Sequence, residues 1–313
     1  MSRTGVVLMT YGSPIDLDDV GPYMTRVRGG RDVGDELVAE FRRRYARIGM
    51  SPLVQITRQQ AQALQERLGH DFRVEAGMRF SSPTIAEAVE RFGADVARVV
   101  GVVLSPQYSP TLMGGYDLEL SRAASDVPYR TVGAWHLNPA LIDVLASRVR
   151  GALARYPAAT RHTVPVLLTA HSLPRRVVER EPEYVDQLQE TAQAVAEAAD
   201  LEPSRWSFVY QSAGHTPEEW LKPDMLEVLP QLAEAGHRDV LVAPVQFLAD
   251  HLETLYDIDL AGREQAQQAG FTSFTRIDSP NAAPDFIDAL ASVVRGELAA
   301  WQTAERGALW AIG

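Results

Sequence analysis

Along this chain, short runs of β-branched and other apolar residues alternate with longer stretches in which apolar positions recur near helical spacing. The runs predict strands at Gly5 to Thr10, Arg73 to Met78, Val99 to Leu104, Val164 to Ala170, Ser207 to Gln211 and Val240 to Val245. Between them, Asp35 to Arg47, Pro83 to Phe92, Glu183 to Ala198 and Met225 to Gly236 read as amphipathic helices. Such alternation is the pattern of βα units wound on a parallel sheet, so a doubly wound α/β fold is predicted.

A degenerate internal repeat is superimposed on this pattern. The strand end Val7-Leu8-Met9-Thr10-Tyr11-Gly12-Ser13-Pro14 echoes Leu167-Leu168-Thr169-Ala170-His171-Ser172-Leu173-Pro174. In each, a buried strand runs into a polar ring residue, a small turn residue and a proline that ends regular structure. Later in each half a strand runs into another proline, in Leu104-Ser105-Pro106-Gln107-Tyr108 and in Val242-Ala243-Pro244-Val245-Gln246-Phe247. Two similar domains are expected: 1–135 and 136–285, followed by a C-terminal helical segment, 286–313, packing back on the first domain. Ligands of open α/β sheets sit beyond the carboxyl ends of the strands, so Tyr11 and His171 are expected to approach an interdomain cleft from opposite walls.

Composition narrows the chemistry. The chain of 313 residues is 46% hydrophobic and 23% charged, as ordinary globular proteins are. Its net charge of -11 opposes a polyanionic partner, and no basic run tracks a phosphate backbone, so no nucleic acid is expected. The apolar run Val6 to Met9 is far too short for a signal core or a membrane span, which gives a cytoplasmic expectation. There is no cysteine, so disulfides, thiolate zinc sites and an Fe–S cluster are excluded, and any metal is held by His, Asp, Glu, Tyr or water. Neither GxGxxG nor a GxxxxGKS or GxxxxGKT loop occurs, which demotes nucleotide binding.

Two segments remain as candidates. His171 stands at a strand end, where ligands bind, although a lone histidine is often only a satisfied structural group. Asp250-His251-Leu252-Glu253-Thr254-Leu255-Tyr256-Asp257 follows a strand and reads as the start of a helix, with Asp250, Glu253 and Asp257 on one acidic stripe. Carboxylates in a first helical turn are stabilised by the helix dipole, which is the structural explanation. Three on one face nevertheless repel one another, a cost relieved when a divalent cation passes between them. His and carboxylate suit ferrous iron and a phenolate suits ferric iron, so the set points to iron.

With these motifs in order, the sequence resembles the ferrochelatases, in particular the coproporphyrin ferrochelatases. The resemblance runs from Tyr11-Gly12-Ser13-Pro14 to Ser279-Pro280-Asn281 and Pro284-Asp285-Phe286-Ile287. Its most specific pieces are Ala170-His171-Ser172-Leu173-Pro174, Asp250 to Asp257, and Tyr210-Gln211-Ser212-Ala213-Gly214 with Trp220-Leu221-Lys222-Pro223. It implies two similar Rossmann-like domains with the porphyrin between them. It also implies that His171 and Glu253 are catalytic and, with Tyr11 and Asp257, handle the metal, Tyr11 facing the iron from the side opposite His171. Tyr11, Arg28, Arg44, Ser51, Tyr116, Ser212 and Trp220 would bind the porphyrin. Three departures stand out. The loop Ile48-Gly49-Met50-Ser51-Pro52 is one residue shorter than the usual Gly-Gly-X-Ser-Pro, Ala261 replaces a further glutamate found in some members, and Gly29 replaces a second basic residue after Arg28.

The implied reaction is insertion of Fe²⁺ into coproporphyrin III to give coprohaem III, with iron as substrate and no organic cofactor. The chain is expected to be a monomer that transiently contacts the next enzyme of the haem pathway. A protoporphyrin ferrochelatase, a cobalt chelatase of the same fold and a non-enzymatic haem carrier are the alternatives. Metal choice among Fe²⁺, Zn²⁺ and Co²⁺ is not encoded in any of these motifs.

Overall fold

The structure is a computed structural model that describes residues 3–214 and 217–310. The first half of the chain forms β1 (Arg3–Thr10), α1 (Val20–Val27), α2 (Asp35–Ile48), α3 (Leu53–Leu68), β2 (Phe72–Met78), α4 (Ile85–Glu90), β3 (Val96–Val103), α5 (Pro110–Ala123), β4 (Tyr129–Thr131) and α6 (Pro139–Ala154). The second half forms β5 (Val166–His171), α7 (Arg175–Val178), α8 (Pro182–Ala198), β6 (Trp206–Gln211), α9 (Met225–Glu234), β7 (Asp239–Pro244), a π-helical segment (Glu253–Gly262), α10 (Arg263–Gln268), β8 (Ser273–Arg276) and α11 (Pro284–Trp310).

Two compact units result. In the first, β2-β1-β3-β4 form a parallel sheet. Val6, Val7, Leu8 and Met9 of β1 are fully buried, as a central strand covered on both faces requires. This unit comprises the residues up to Ser13, Leu53–Leu141 and those from Asn281 onward. α11 lies against α3 and β3, and Trp301 is flanked by the guanidinium groups of Arg98 at 5.4 Å and Arg130 at 5.0 Å from its ring centre.

The second unit comprises Pro14–Pro52 and Ile142–Pro280. Its parallel sheet has the order β6-β5-β7-β8, the same second-first-third-fourth arrangement as the first. The duplication read from the strand ends is thus a duplication of topology, with Tyr11 following β1 and His171 ending β5.

The units are not contiguous halves divided near residue 135. The segment carrying α1 and α2 belongs with the second unit because α2 packs on the π-helical segment, where Arg47 pairs with Glu264 at 3.0 Å and Arg44 with Asp257 at 3.4 Å. The edge strands β4 and β8 are additions to the expected set; at 3 and 4 residues they are too short for a periodicity. Among the described residues, no helix is long and apolar enough to cross a membrane.

Candidate functional site

The second unit brings His171, Glu253, Asp257, Arg44, Ser212 and Trp220 together. His171 is the last residue of β5 and pairs with Gln211 of β6 in register. Beyond the strand, Ser172 N–H donates to the Gln211 carbonyl at 2.8 Å, Leu221 N–H to the Leu173 carbonyl at 3.0 Å, and the Ser172 hydroxyl to the Leu221 carbonyl at 3.1 Å. The two sequence motifs His171-Ser172-Leu173-Pro174 and Trp220-Leu221 are therefore halves of one hydrogen-bonded corner. Trp220 stands with its ring 6.4 Å from that of His171, and its indole lies on Gly214, where a Cβ would come within 2.6 Å of it. Glycine is needed there for close approach of the ring.

The His171 ring has a determined direction. Nδ1 is hydrogen-bonded to the Ser172 carbonyl, which can only accept, so Nδ1 carries the proton and the neutral ring presents a lone pair at Nε2. Nε2 faces Glu253 Oε2 at 3.5 Å. That carboxylate oxygen is buried and has no hydrogen-bond partner among the described residues. Two acceptors opposed in this way are completed by a proton or a cation. The buried phenols Tyr45 and Tyr184 lie within the field of Glu253; burial first, and then that charge, hold both well above the usual phenol range, although a hydrogen bond from Gln246 partly offsets this for Tyr184.

Glu253 and Asp257 lie on the π-helical segment, one turn apart, so the helix expected there is of the π type. π-Helical turns are rare and occur frequently at functional sites. Asp250 leaves the acidic stripe. Its carboxylate pairs with Arg276 at 3.1 Å and accepts from the Ser279 hydroxyl at 2.7 Å, while Arg276 also grips Asp259 through two bonds of 2.9 Å. The stripe is reduced to Glu253 and Asp257, and among the described residues no three His, Asp or Glu side chains converge into a metal-binding cluster.

Burial, and next the Glu253 charge, raise the pKa of Asp257 above the usual carboxylate range; Ser212, Arg44 and His171 oppose the shift. Ser212 follows β6 with φ of 58°, a left-handed conformation uncommon for serine that carries its hydroxyl towards Asp257. Because the folded chain binds the Asp257 proton more tightly than the unfolded chain does, the ionised carboxylate costs stability above its raised pKa. That cost disappears as the pH falls below the ordinary carboxylate value. Asp257→Asn is therefore expected to raise the unfolding midpoint at neutral pH, with the gain shrinking as the pH is lowered towards about 4. Thermal melts across that range check this, and a gain independent of pH would contradict it.

Among the expected porphyrin contacts of this unit, Arg28 is exposed at the end of α1 and forms no ion pair among the described residues. Arg44 is different: it is bonded to Glu40 and Asp257 and stacks on Phe41 and Tyr256. Ser51 is half-buried after the left-handed pair Gly49 and Met50.

In the first unit, Tyr11 is 45% exposed and leans on Phe80, with ring centres 4.8 Å apart. Its carbonyl accepts from Phe80 N–H at 3.1 Å. The turn after it needs Gly12, at φ of 88°, where a Cβ would collide with the Ser81 hydroxyl at 2.0 Å. Tyr116 lies behind, buried, its ring 6.5 Å from that of Tyr11 and covered by the Arg79 guanidinium at 5.5 Å. Burial, followed by Tyr11, pushes its phenol up. Arg79, which also pairs with Glu119 at 3.4 Å, has no counterpart among the sequence candidates. Neither do Gln246, Tyr184 and Tyr45. For Gln246 a signal existed in the repeat, which sets a glutamine shortly after a strand-end proline in both halves, at Gln107 and Gln246.

The chain is similar to known proteins over most of its length. A ferrochelatase of Herpetosiphon aurantiacus is 38% identical over 306 residues, 95% of this chain and 99% of its own length. A coproporphyrin III ferrochelatase of Geobacillus kaustophilus is 37% identical over 301 residues, 93% and 94% of the two chains, and one of Bacillus subtilis is 34% identical over 307 residues, 95% and 98%. In structure, the chain is similar to SirB from Bacillus subtilis with Fe³⁺ at a TM-score of 0.61 and 12% identity, covering 94% of each chain, which speaks for the fold alone. The family model described as ferrochelatase matches residues 3–298, the whole span that carries the duplicated sheets and the His171–Glu253 pair, so the chain belongs to the ferrochelatase family and is a metallochelatase, a lyase.

Proposed function

We propose that the protein inserts Fe²⁺ into coproporphyrin III. The observation that carries the chelation chemistry is the opposition, at 3.5 Å, of the His171 Nε2 lone pair and a Glu253 Oε2 that has no hydrogen-bond partner among the described residues. In the reaction, two pyrrole N–H bonds break, four Fe–N bonds form and two protons leave. His171 Nε2 accepts one pyrrole proton and water takes the other, and the Glu253 charge stabilises the imidazolium that results. Asp257 and Glu253 replace waters of the hydrated ion in turn, which spreads its desolvation over small steps. Tyr11 offers its phenol oxygen to the iron of the ferrous product. Arg28, Arg44, Ser51, Tyr116, Ser212 and Trp220 contact the porphyrin in this reading, and no organic cofactor enters.

The choice of porphyrin follows from charge. Coproporphyrin carries four propionates, protoporphyrin two, and Arg28 offers a guanidinium with no ion pair among the described residues. Arg44 contributes less discrimination than a free cation would, because Asp257 and Glu40 already engage it. A charge-assisted hydrogen bond is worth about 1.5 to 3 kcal/mol, or roughly ten- to a hundredfold in affinity. Anaerobic insertion assays run side by side are expected to give a preference for coproporphyrin III over protoporphyrin IX of at least about tenfold in kcat/KM, narrowed by Arg28→Leu. Equal use of both porphyrins would overturn the coproporphyrin assignment, and insertion into neither would overturn chelation itself.

A further inference from the structure

We infer that Gln246 is a positioning residue for metal insertion, its side-chain amide tying the backbone of His171 to the hydroxyl of Tyr184 so that Nε2 stays opposed to Glu253. The inference rests on the role proposed for His171.

The sheet itself creates the need for such a residue. β5 and β7 are paired from Val166↔Leu241 to Thr169↔Pro244, and Val245 N–H donates to the Thr169 carbonyl at 3.0 Å. β7 ends there, whereas β5 continues to His171, whose N–H points to the side the neighbouring strand has left. A backbone donor without a partner is costly in the interior. The Gln246 side chain supplies the acceptor: its Oε1 receives the His171 N–H at 2.8 Å. On the other side, the β6 ladder still holds the residue through the His171↔Gln211 register. The catalytic histidine is thus clamped between a strand and a side chain that takes the place of one.

The other end of the amide is committed too. Since only a carbonyl oxygen can accept from the His171 N–H, the amide NH₂ must face the other way, and it donates to the Tyr184 hydroxyl at 2.6 Å. Tyr184 is a buried residue of α8. Its oxygen accepts from Gln246, which anchors the amide to α8. One glutamine thereby links the backbone of the residue bearing the imidazole to a buried phenol of α8.

The test compares Gln246→Met, Gln246→Glu, Tyr184→Phe and the double variant Gln246→Met with Tyr184→Phe, each in the full chain. Methionine keeps the length and volume and loses both hydrogen bonds, whereas glutamate keeps the acceptor for His171. Tyr184→Phe leaves the His171 bond untouched and reports on the relay even if the methionine variant folds poorly. Gln246→Met is expected to lower kcat for Fe²⁺ insertion by roughly tenfold or more, since small misplacements of reacting groups carry large rate penalties. KM for coproporphyrin III should hardly move, and glutamate should recover a clear part of kcat. The losses in the double variant should fall short of the product of the single ones, because both substitutions break the same link. A raised KM with unchanged kcat, a glutamate variant no better than methionine, or losses that multiply as independent effects would each overturn the inference. His171→Ala is assayed in parallel. If it remains active, the reading of His171 fails and takes this inference with it; if it is inactive while Gln246→Met matches the parent enzyme, only Gln246 is wrongly assigned.

Discussion

His171→Ala is expected to reduce iron insertion by roughly three orders of magnitude, within the range general acid–base groups contribute, while porphyrin binding persists. The substitution removes the one ring nitrogen left with a lone pair by the bond from Nδ1 to the Ser172 carbonyl. It therefore removes both the proposed proton acceptor and the group opposite Glu253. The backbone of residue 171 remains held by Gln246 and by β6, and the side chain is 29% exposed, so the loss of packing is small. The exposed Arg28 and Tyr11 are unaffected in their own settings. Single-turnover insertion under anaerobic conditions, paired with a fluorescence titration of coproporphyrin III, separates the two quantities. Rate and binding lost in equal measure would show that His171 serves the porphyrin and not the metal or the proton.

How far the sequence foretold this arrangement depended on the range of the interactions involved. Parallel strands covered on both faces must be apolar throughout, so β1, β3, β5 and β7 announce themselves as valine- and leucine-rich runs, and the repeat aligns Tyr11 with His171. β4 and β8 lie at sheet edges and show no comparable run. The hydrophobic pattern from Glu253 onward marks a helix but not its hydrogen-bond offset, and that offset makes it a π-helix. Asp250 looked like a third member of the acidic stripe because its partner, Arg276, ends an edge strand that the pattern does not reveal. The assignment of α1 and α2 to the second unit depends on ion pairs such as Arg47–Glu264, which join residues far apart in sequence and leave no mark on local composition. The repeat marked the position of Gln246 but not its role, because it acts where a neighbouring strand stops, a condition that only the paired sheet defines.

Glu253→Gln is expected to lower kcat by about 10²-fold or more, even though the new side chain fills the same space. Two effects act together. The amide has no charge to stabilise an imidazolium at His171. Its NH₂ group would also donate to the Nε2 lone pair that now lies 3.5 Å from Glu253 Oε2, occupying the position that a pyrrole proton or the metal has to reach. Glu253→Asp keeps the charge and withdraws it by one methylene, so it should retain more activity than the glutamine variant. The reverse order would mean that shape, not charge, is what Glu253 contributes. The same substitution has a consequence away from catalysis. The Glu253 charge is the second cause, after burial, of the raised Asp257 pKa. In a Glu253→Gln background Asp257 therefore moves back towards the usual carboxylate range, and the stability gained at neutral pH from Asp257→Asn should shrink. Thermal melts of the single and double variants measure this coupling. A gain of undiminished size would show that Glu253 does not raise the Asp257 pKa, and would count against the proposal that Glu253 and Asp257 act as paired acidic groups in stepwise removal of water from Fe²⁺.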